Sequence, residues 1–235
     1  MISRFFILVV VLVFFCGCGN AEKPIQVKPN PIVKPKALPQ KSGLIYAHEL
    51  IKPKRNSYDD ARARIGDTLI LCSYKGRIDF ADSTGKNRVS ITDLRCEFHI
   101  EKAYILPWGE QRWFITWQET DQTGQKTNLA IFREGERKPE WKIQFPYPNL
   151  GPVVLDGEMC YFTTMGMVGK ANLAEGKMEW QIDSMFNVYK WSFKQFSTPL
   201  VYPDKVIFID LPERGRREKR DTVVVDPVSG LPKGK

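Results

Sequence analysis

Two hydrophobic patterns divide the chain. Residues 5–15 form one unbroken apolar run, whereas from Gly66 onward short apolar stretches alternate with polar turns. The alternation predicts strands over 68–74, 77–81, 88–92, 99–106, 112–118, 128–133, 140–145, 158–164, 168–173, 178–182, 188–193, 205–210 and 222–226. So many short strands exclude a helical bundle. Only residues 59–64, with Ala and Arg alternating after two aspartates, suggest a helical turn or two.

The strands recur in sets. The stretch from Gly157 through Gly166 and Gly176 to Trp180 can be laid beside Gly66 through Gly76 and Gly85. Each gives an apolar strand, a Gly turn, a second strand and a second Gly turn nine or ten residues on. Glycine supplies the positive φ of a tight hairpin, so its spacing sets strand length and register. A third copy starts at Pro199, echoing Pro152, and a fourth, more degenerate one runs from Arg112 to Trp141.

The segment 161–180 resembles the PQQ-like (pyrroloquinoline-quinone-type) β-propeller repeat: strand, Gly, strand, then a Gly turn shortly before a Trp. The resemblance implies an all-β fold, a small or incomplete β-propeller of four-stranded repeats. It also implies structural roles for Gly76, Gly85, Gly166, Gly176, Trp141 and Trp180, with the tryptophans packing between neighbouring blades. Val89 stands where the first copy would carry its Trp, and the last copy has none, so docking must differ there. Such repeats need stacked neighbours to bury their faces. Four copies are expected, or five blades if residues 43–65 and the C-terminus complete one sheet; an open array is the alternative. The family's quinone enzymes are about twice as long, so no cofactor is expected. At fold level the chain is similar to the propeller lipoproteins of outer-membrane protein assembly, which implies other envelope proteins as partners.

The apolar run at 5–15 follows Arg4 and is too short to span a bilayer as a helix, which takes about 20 residues. It reads as the core of a signal peptide over 1–17. Gly17-Cys18 resembles the lipobox of bacterial lipoproteins, which implies cleavage before Cys18 and acylation of that residue. The expected localisation is the cell envelope, with membrane lipid as a partner through Cys18; Gly19 points to the outer membrane in a cell with two membranes. An ordinary secretory peptide and a retained anchor are the alternatives.

Formal charge, +8 over 235 residues, looks like a nucleic-acid signal until it is located. Residues 18–42 carry five lysines, at 23, 28, 34, 36 and 41, among prolines that favour extended backbone. They read as a disordered tether that could reach roughly 75 Å from the lipid. The β-propeller-like domain, residues 43–235, has 29 basic and 26 acidic side chains. With export expected as well, nucleic acid is not an expected partner.

Catalytic chemistry is sparse. His48 and His99 have no metal-type spacing, Asp59-Asp60 and Glu134/Glu136 sit in turn-like contexts, and no GxSxG elbow, Walker loop or zinc spacing occurs. Cys72, Cys96 and Cys160 read as small buried residues, allowing at most one internal disulfide. No catalytic, cofactor or metal residue is assigned. Two features suit binding. Trp113, Ile115 and Trp117 share one strand face, as do Tyr189, Trp191 and Phe193; each face is either core or an exposed platform. The hairpin segment 213–220 concentrates Arg214, Arg216, Arg217, Lys219 and Arg220, either a solvated turn or a contact for an acidic partner. The expected function is a non-enzymatic, lipid-anchored envelope scaffold or protein-interaction module. A ligand-binding sensor and a small envelope hydrolase are the alternatives. A sensor requires the aromatic faces around Trp113 and Trp191 to be exposed, and a scaffold requires them buried. Oligomeric state is undetermined by the sequence.

Overall fold

The structure, a computed structural model, describes residues 40–52, 60–187, 192–211 and 221–233. Two short strands, β1 (Ile45–Tyr46) and β2 (His48–Glu49), precede a series of antiparallel meanders. The first sheet is β3 (Ala61–Ile65), β4 (Thr68–Cys72), β5 (Arg77–Ala81) and β6 (Arg88–Asp93). The second is β7 (His99–Pro107), β8 (Arg112–Asp121), β9 (Gly124–Arg133) and β10 (Trp141–Phe145). The third is β11 (Val154–Asp156), β12 (Met159–Thr164), β13 (Met167–Asn172) and β14 (Lys177–Ile182). A small hairpin, β15 (Phe186–Asn187) and β16 (Ser192–Phe193), leads to the last sheet, β17 (Leu200–Val201), β18 (Val206–Ile209) and β19 (Thr222–Val225). The fold is all-β and propeller-like, with no helix among the described residues.

Strand alternation builds the packing. In β8, Trp113, Ile115 and Trp117 face a cluster shared with the first sheet, through Ile70, Ile78 and Ile91, while Phe114 faces the third sheet, through Leu155 and Phe162. In β12, Cys160 and Phe162 look back to the second sheet and Tyr161 forward to the last, beside Phe208 and Val206. The two middle sheets are therefore buried on both faces. Each large side chain so buried contributes about 1.5–3 kcal/mol. The three clusters each join sheets adjacent in sequence, and among the described residues none joins the first sheet to the last.

The inner edges of all four sheets are covered by one segment. Lys41 N donates to Val201 O beside β17, β1 pairs with β11, Ala47 N donates to Val153 O, β2 pairs with β7, Leu50 N donates to Ala103 O, and Ile51 bridges Arg62 of β3. This strap crosses the sheets in reverse chain order. It places Leu44 in the last interface, Ala47 in the middle one and Leu50 in the first. The spacing of three follows from geometry: three extended residues rise about 10 Å, the distance between packed sheets.

Two expectations are corrected. Residues 61–65 are strand, not helix: the Ala-Arg alternation points Ala61, Ala63 and Ile65 into the first cluster, and pairing with β4 overrides the helix propensity of Ala and Arg. Among the described residues, 43–65 and the C-terminus do not form a common sheet, because β3 belongs with β4 and β19 with β18; the stacked sheets there number four, with the β15–β16 hairpin as a separate two-stranded pair.

The outer ends of the sheets dock through a repeated device. Asn172 and Asp226 each begin a turn by accepting hydrogen bonds from backbone amides two and three residues on. The amides of Ser229 and Val228 hold the Asp226 carboxyl down at about 2. The next carbonyl, of Leu173 or Pro227, accepts the indole N–H of Trp141 at 2.9 Å or Trp180 at 3.3 Å. Four residues after each turn-opening side chain, Gly176 (φ +65°) and Gly230 (φ +70°) lie under those same indoles, where a Cβ would come within 2.7 and 2.6 Å of the ring. Gly135 (φ +81°), at the first junction, faces open space, and Val89 is 63% exposed. Replacing Gly135 with Ala is expected to cost only the left-handed backbone penalty, about 1–2 kcal/mol. Gly176→Ala and Gly230→Ala add displacement of an indole and should cost about 2–5 kcal/mol. Urea unfolding of the three variants measures the difference; equal losses would contradict the docking account.

Candidate functional site: a polar cavity at the inner ends of three sheets

A cavity of about 630 Å³ opens where the second, third and last sheets meet the strap. Its volume lies in the range of ligand sites, roughly 300–1,000 Å³. Glu101, Lys102 and Tyr104 of β7 line one wall with Gln118 of β8, and Glu49 comes from the strap. Residues 149–152, before β11, residues 195–198, before β17, and Leu211, after β18, complete it. Glu101 sits at a bulge between Ile100 and Lys102 that shifts the register of β7 against β8.

The polar groups are unevenly satisfied. Glu101 accepts hydrogen bonds from Gln118 Nε2, Thr120 Oγ1 and Gln125 Nε2, and His99 Nε2 lies 3.8 Å away. Gln118 Oε1 accepts the Leu150 amide at 3.1 Å, tying the second sheet to the third. Glu49 and Lys102 approach to 3.8 Å, and the Lys102 ammonium lies 5.2 Å from the centre of the Tyr104 ring. Tyr104 is 2% exposed and its hydroxyl has no hydrogen-bond partner. Burial, and secondarily the Glu49 charge, push its phenol well above the usual range.

Apart from His99 beside Glu101, the residues singled out by sequence lie elsewhere. Trp113 and Trp117 are 8% and 1% exposed, Trp113 meeting Phe80 edge-on at 5.3 Å, so their shared face is inter-sheet core. Trp191, Tyr189 and the basic residues Arg214, Arg216, Arg217, Lys219 and Arg220 lie outside the described residues, as does Cys18. Phe193 is 46% exposed and covers the Gly166 turn, while Gly76 is enclosed by Leu94, Ile100 and Cys96, and Gly85 lies near Leu71. His48 is exposed at its backbone pairing with Ile105. Asp60 pairs with Arg88 at 2.8 Å, and Glu134 and Glu136 are exposed. No cluster of His, Cys, Asp or Glu suited to a metal occurs among the described residues. The cavity itself was missed by sequence reasoning. Its signal was the adjacent Glu101 and Lys102, which interrupt the apolar alternation of β7.

No protein-family model matches the chain, and no curated protein does. Among solved structures, the crystal structure of BamB from Moraxella catarrhalis is similar at 13% identity and TM-score 0.39, covering 65% of this chain and 40% of its own. The computationally designed Ika8 protein is similar at 10% identity and TM-score 0.45, covering 79% of this chain and 51% of its own. The chain thus spans about half or less of either structure's length.

The three thiols of the described residues, Cys72 in β4, Cys160 in β12 and Cys96 between β6 and β7, are buried and form no disulfide. Burial pushes Cys72 up to about 12, with Asp60 and Asp79 adding and Lys52 opposing. Cys160 is raised by burial, and Cys96 by burial and the Glu119 carboxylate. Because these thiols are raised, the thiolate form gains only as pH rises towards those values. At about pH 9 the Cys72 thiolate fraction remains about one in a thousand. Iodoacetamide is expected to leave all three unmodified in the native protein and to label all three in denaturant, as read by mass spectrometry. Rapid native labelling of any of them would assign it a reactive role.

Proposed function

We propose that the protein is a non-enzymatic, propeller-type protein-interaction module held on the cell envelope by a lipid at Cys18. In this reading residues 1–17 are removed, the chain from Cys18 up to the strap forms the tether, and the interaction domain begins at Lys41 rather than at residue 43, because the Lys41 amide donates to Val201 O and its ammonium pairs with Asp156. In a cell with two membranes it stands on the outer one. The observation that carries the reading is the burial of Trp113, Ile115 and Trp117 between the first two sheets. An aromatic platform for ligand rings needs exposed faces; here the aromatic surface is spent on stacking one sheet against the next. A stack of this kind offers a rigid body with loops at its ends, suited to holding partners in register. The basic segment between β18 and β19 supplies a contact for an acidic surface on an envelope partner.

Two measurements on the full chain in native membranes test this. A clickable fatty acid should label the wild-type protein and not Cys18→Ser, which should leave the membrane fraction. Crosslinking with mass-spectrometric identification should recover a recurrent envelope partner, with yield reduced about fivefold or more by Arg216→Glu combined with Arg217→Glu. Undiminished lipid labelling of Cys18→Ser would overturn the anchor. A crosslink pattern unchanged by the charge reversal would overturn the basic contact, and the absence of any recurrent partner would overturn the module.

A further inference from the structure

The two most exposed large apolar side chains among the described residues, Val228 (80%) and Leu231 (67%), belong to one turn of the last sheet. The turn opens at Asp226, just after β19, and the chain then folds back so that Pro232 bridges Val225. Neither side chain belongs to the cluster that joins the last sheet to the third. Single exposed aliphatics are ordinary on a protein surface, whereas two on one projecting tip mark a contact.

The backbone of the tip is independent of that exposure. From Asp226 to Lys233 every amide N–H is bonded within the protein or absent. Asp226 N donates to Leu231 O, Gly230 N to Asp226 O and Lys233 N to Val224 O. Val228 N and Ser229 N donate to the Asp226 carboxylate, and Leu231 N to Ser229 Oγ at 3.3 Å. Pro227 and Pro232 have no N–H. The Pro227 carbonyl accepts Lys170 Nζ and the Trp180 indole, and Lys233 pairs with the Asp226 carboxylate at 3.4 Å. A turn in water has no need of such closure, because water bonds whatever is left open; a turn that meets lipid does.

Placement is the third observation. Val201, Val206, Val225 and Pro232 form the row that crosses the last sheet just before this turn, and Lys41 N donates to Val201 O on the same row. Residues 18–40 precede Lys41, so the chain from Cys18 enters the domain at the end of the sheet that carries the tip. A protein partner would want hydrogen bonds from its contact, roughly one per 100–200 Å². The amides of this tip are already committed, and a lipid surface asks for none.

We propose that the tip formed by Val228 and Leu231 seats the domain on the membrane, the two side chains entering the boundary between headgroups and acyl chains of the bilayer. The proposal deepens, and rests on, the reading of the chain as anchored by a lipid at Cys18. Two aliphatic side chains hold a free protein on a bilayer too weakly to matter. On a chain already anchored, the same contact forms at high effective concentration and sets orientation rather than retention. Seated in this way, the last sheet turns residues 195–198 and Leu211, which line the cavity at the other end of β17 and β18, away from the membrane.

The test uses the full lipidated chain, reconstituted in vesicles of phosphatidylethanolamine with phosphatidylglycerol and, separately, of phosphatidylcholine alone. An environment-sensitive NBD dye is attached through Val228→Cys or, as a reference, through Gln122→Cys in the exposed turn between β8 and β9. The thiols of Cys72, Cys96 and Cys160 are buried, so the dye goes to the introduced position. Neither substitution should move the unfolding midpoint, since both side chains are exposed. Lipid spin-labelled near the headgroup end of its acyl chain should quench the dye at 228 by about half or more in both kinds of vesicle and leave the dye at 122 unaffected. Leu231→Asp should reduce the quenching at 228 about twofold or more. Equal quenching at the two positions would overturn the proposal. So would quenching confined to the anionic vesicles, which would assign the contact to the lysines before the strap. A dye at 228 shielded from water but untouched by the spin label would give the tip to a protein, a partner or a second copy, and overturn the lipid seat. If the chain floats with the vesicles and the dye at 228 reads as water, the seat falls and the anchor stands; if the chain does not float, the anchor falls and the seat with it.

Discussion

A single extended segment, residues 41–51, provides the common inner edge of the array. Stacked sheets of this kind normally depend only on nearest neighbours, so an end sheet can detach while the others persist. Here one strand crosses every sheet, bonding to Val201, to Leu155 and Val154, to Ile105 and Tyr104, and to Arg62 in turn. It removes exposed backbone from the inner edges, which would otherwise template pairing with other chains. It also drops Leu44, Ala47 and Leu50 into successive interfaces, coupling the packing of each to the next.

Where the strap closes the inner end, tryptophan closes the outer end of two junctions. Trp141 on Gly176 and Trp180 on Gly230 repeat the same contact down to the carbonyl that accepts the indole N–H. The first junction departs from this, since Val89 leaves its outer end open. It compensates inside the stack, where Trp113 meets Phe80 edge-on, Thr92 Oγ1 donates to Glu136 O at 2.7 Å, and Gly135 N donates to Ile91 O at 2.9 Å.

Most strands were legible because alternation and glycine turns report local geometry. Strands such as β4, β5, β12 and β18 fall where the apolar runs predicted them, within a residue or two at their ends. The strap was not legible in the same way. Its apolar positions recur every three residues, a period that belongs to neither a strand face nor a helix face, and that has meaning only once sheets are stacked about 10 Å apart. The error at residues 61–65 has the same root: Ala and Arg favour helix, and only pairing with β4 decides otherwise. Strands β11 and β17 were omitted because two or three residues show no period. The cavity was hidden because its residues come from six separate segments, while the aromatic face that sequence reasoning offered for binding or packing is core.

The cavity and the strap are one structural unit, since Glu49 lines the former and belongs to the latter. The central claim is that the strap is an integral edge shared by all four sheets, and amide hydrogen exchange tests it most directly. The amides of Ala47, Leu50 and Ile51 donate to carbonyls of Val153, Ala103 and Arg62. The account predicts that they exchange as slowly as the central amides of β8 and β12, through global unfolding. Fast exchange at those three positions, with β8 and β12 still protected, would contradict it and reduce the strap to a frayed end resting on an independently stable stack.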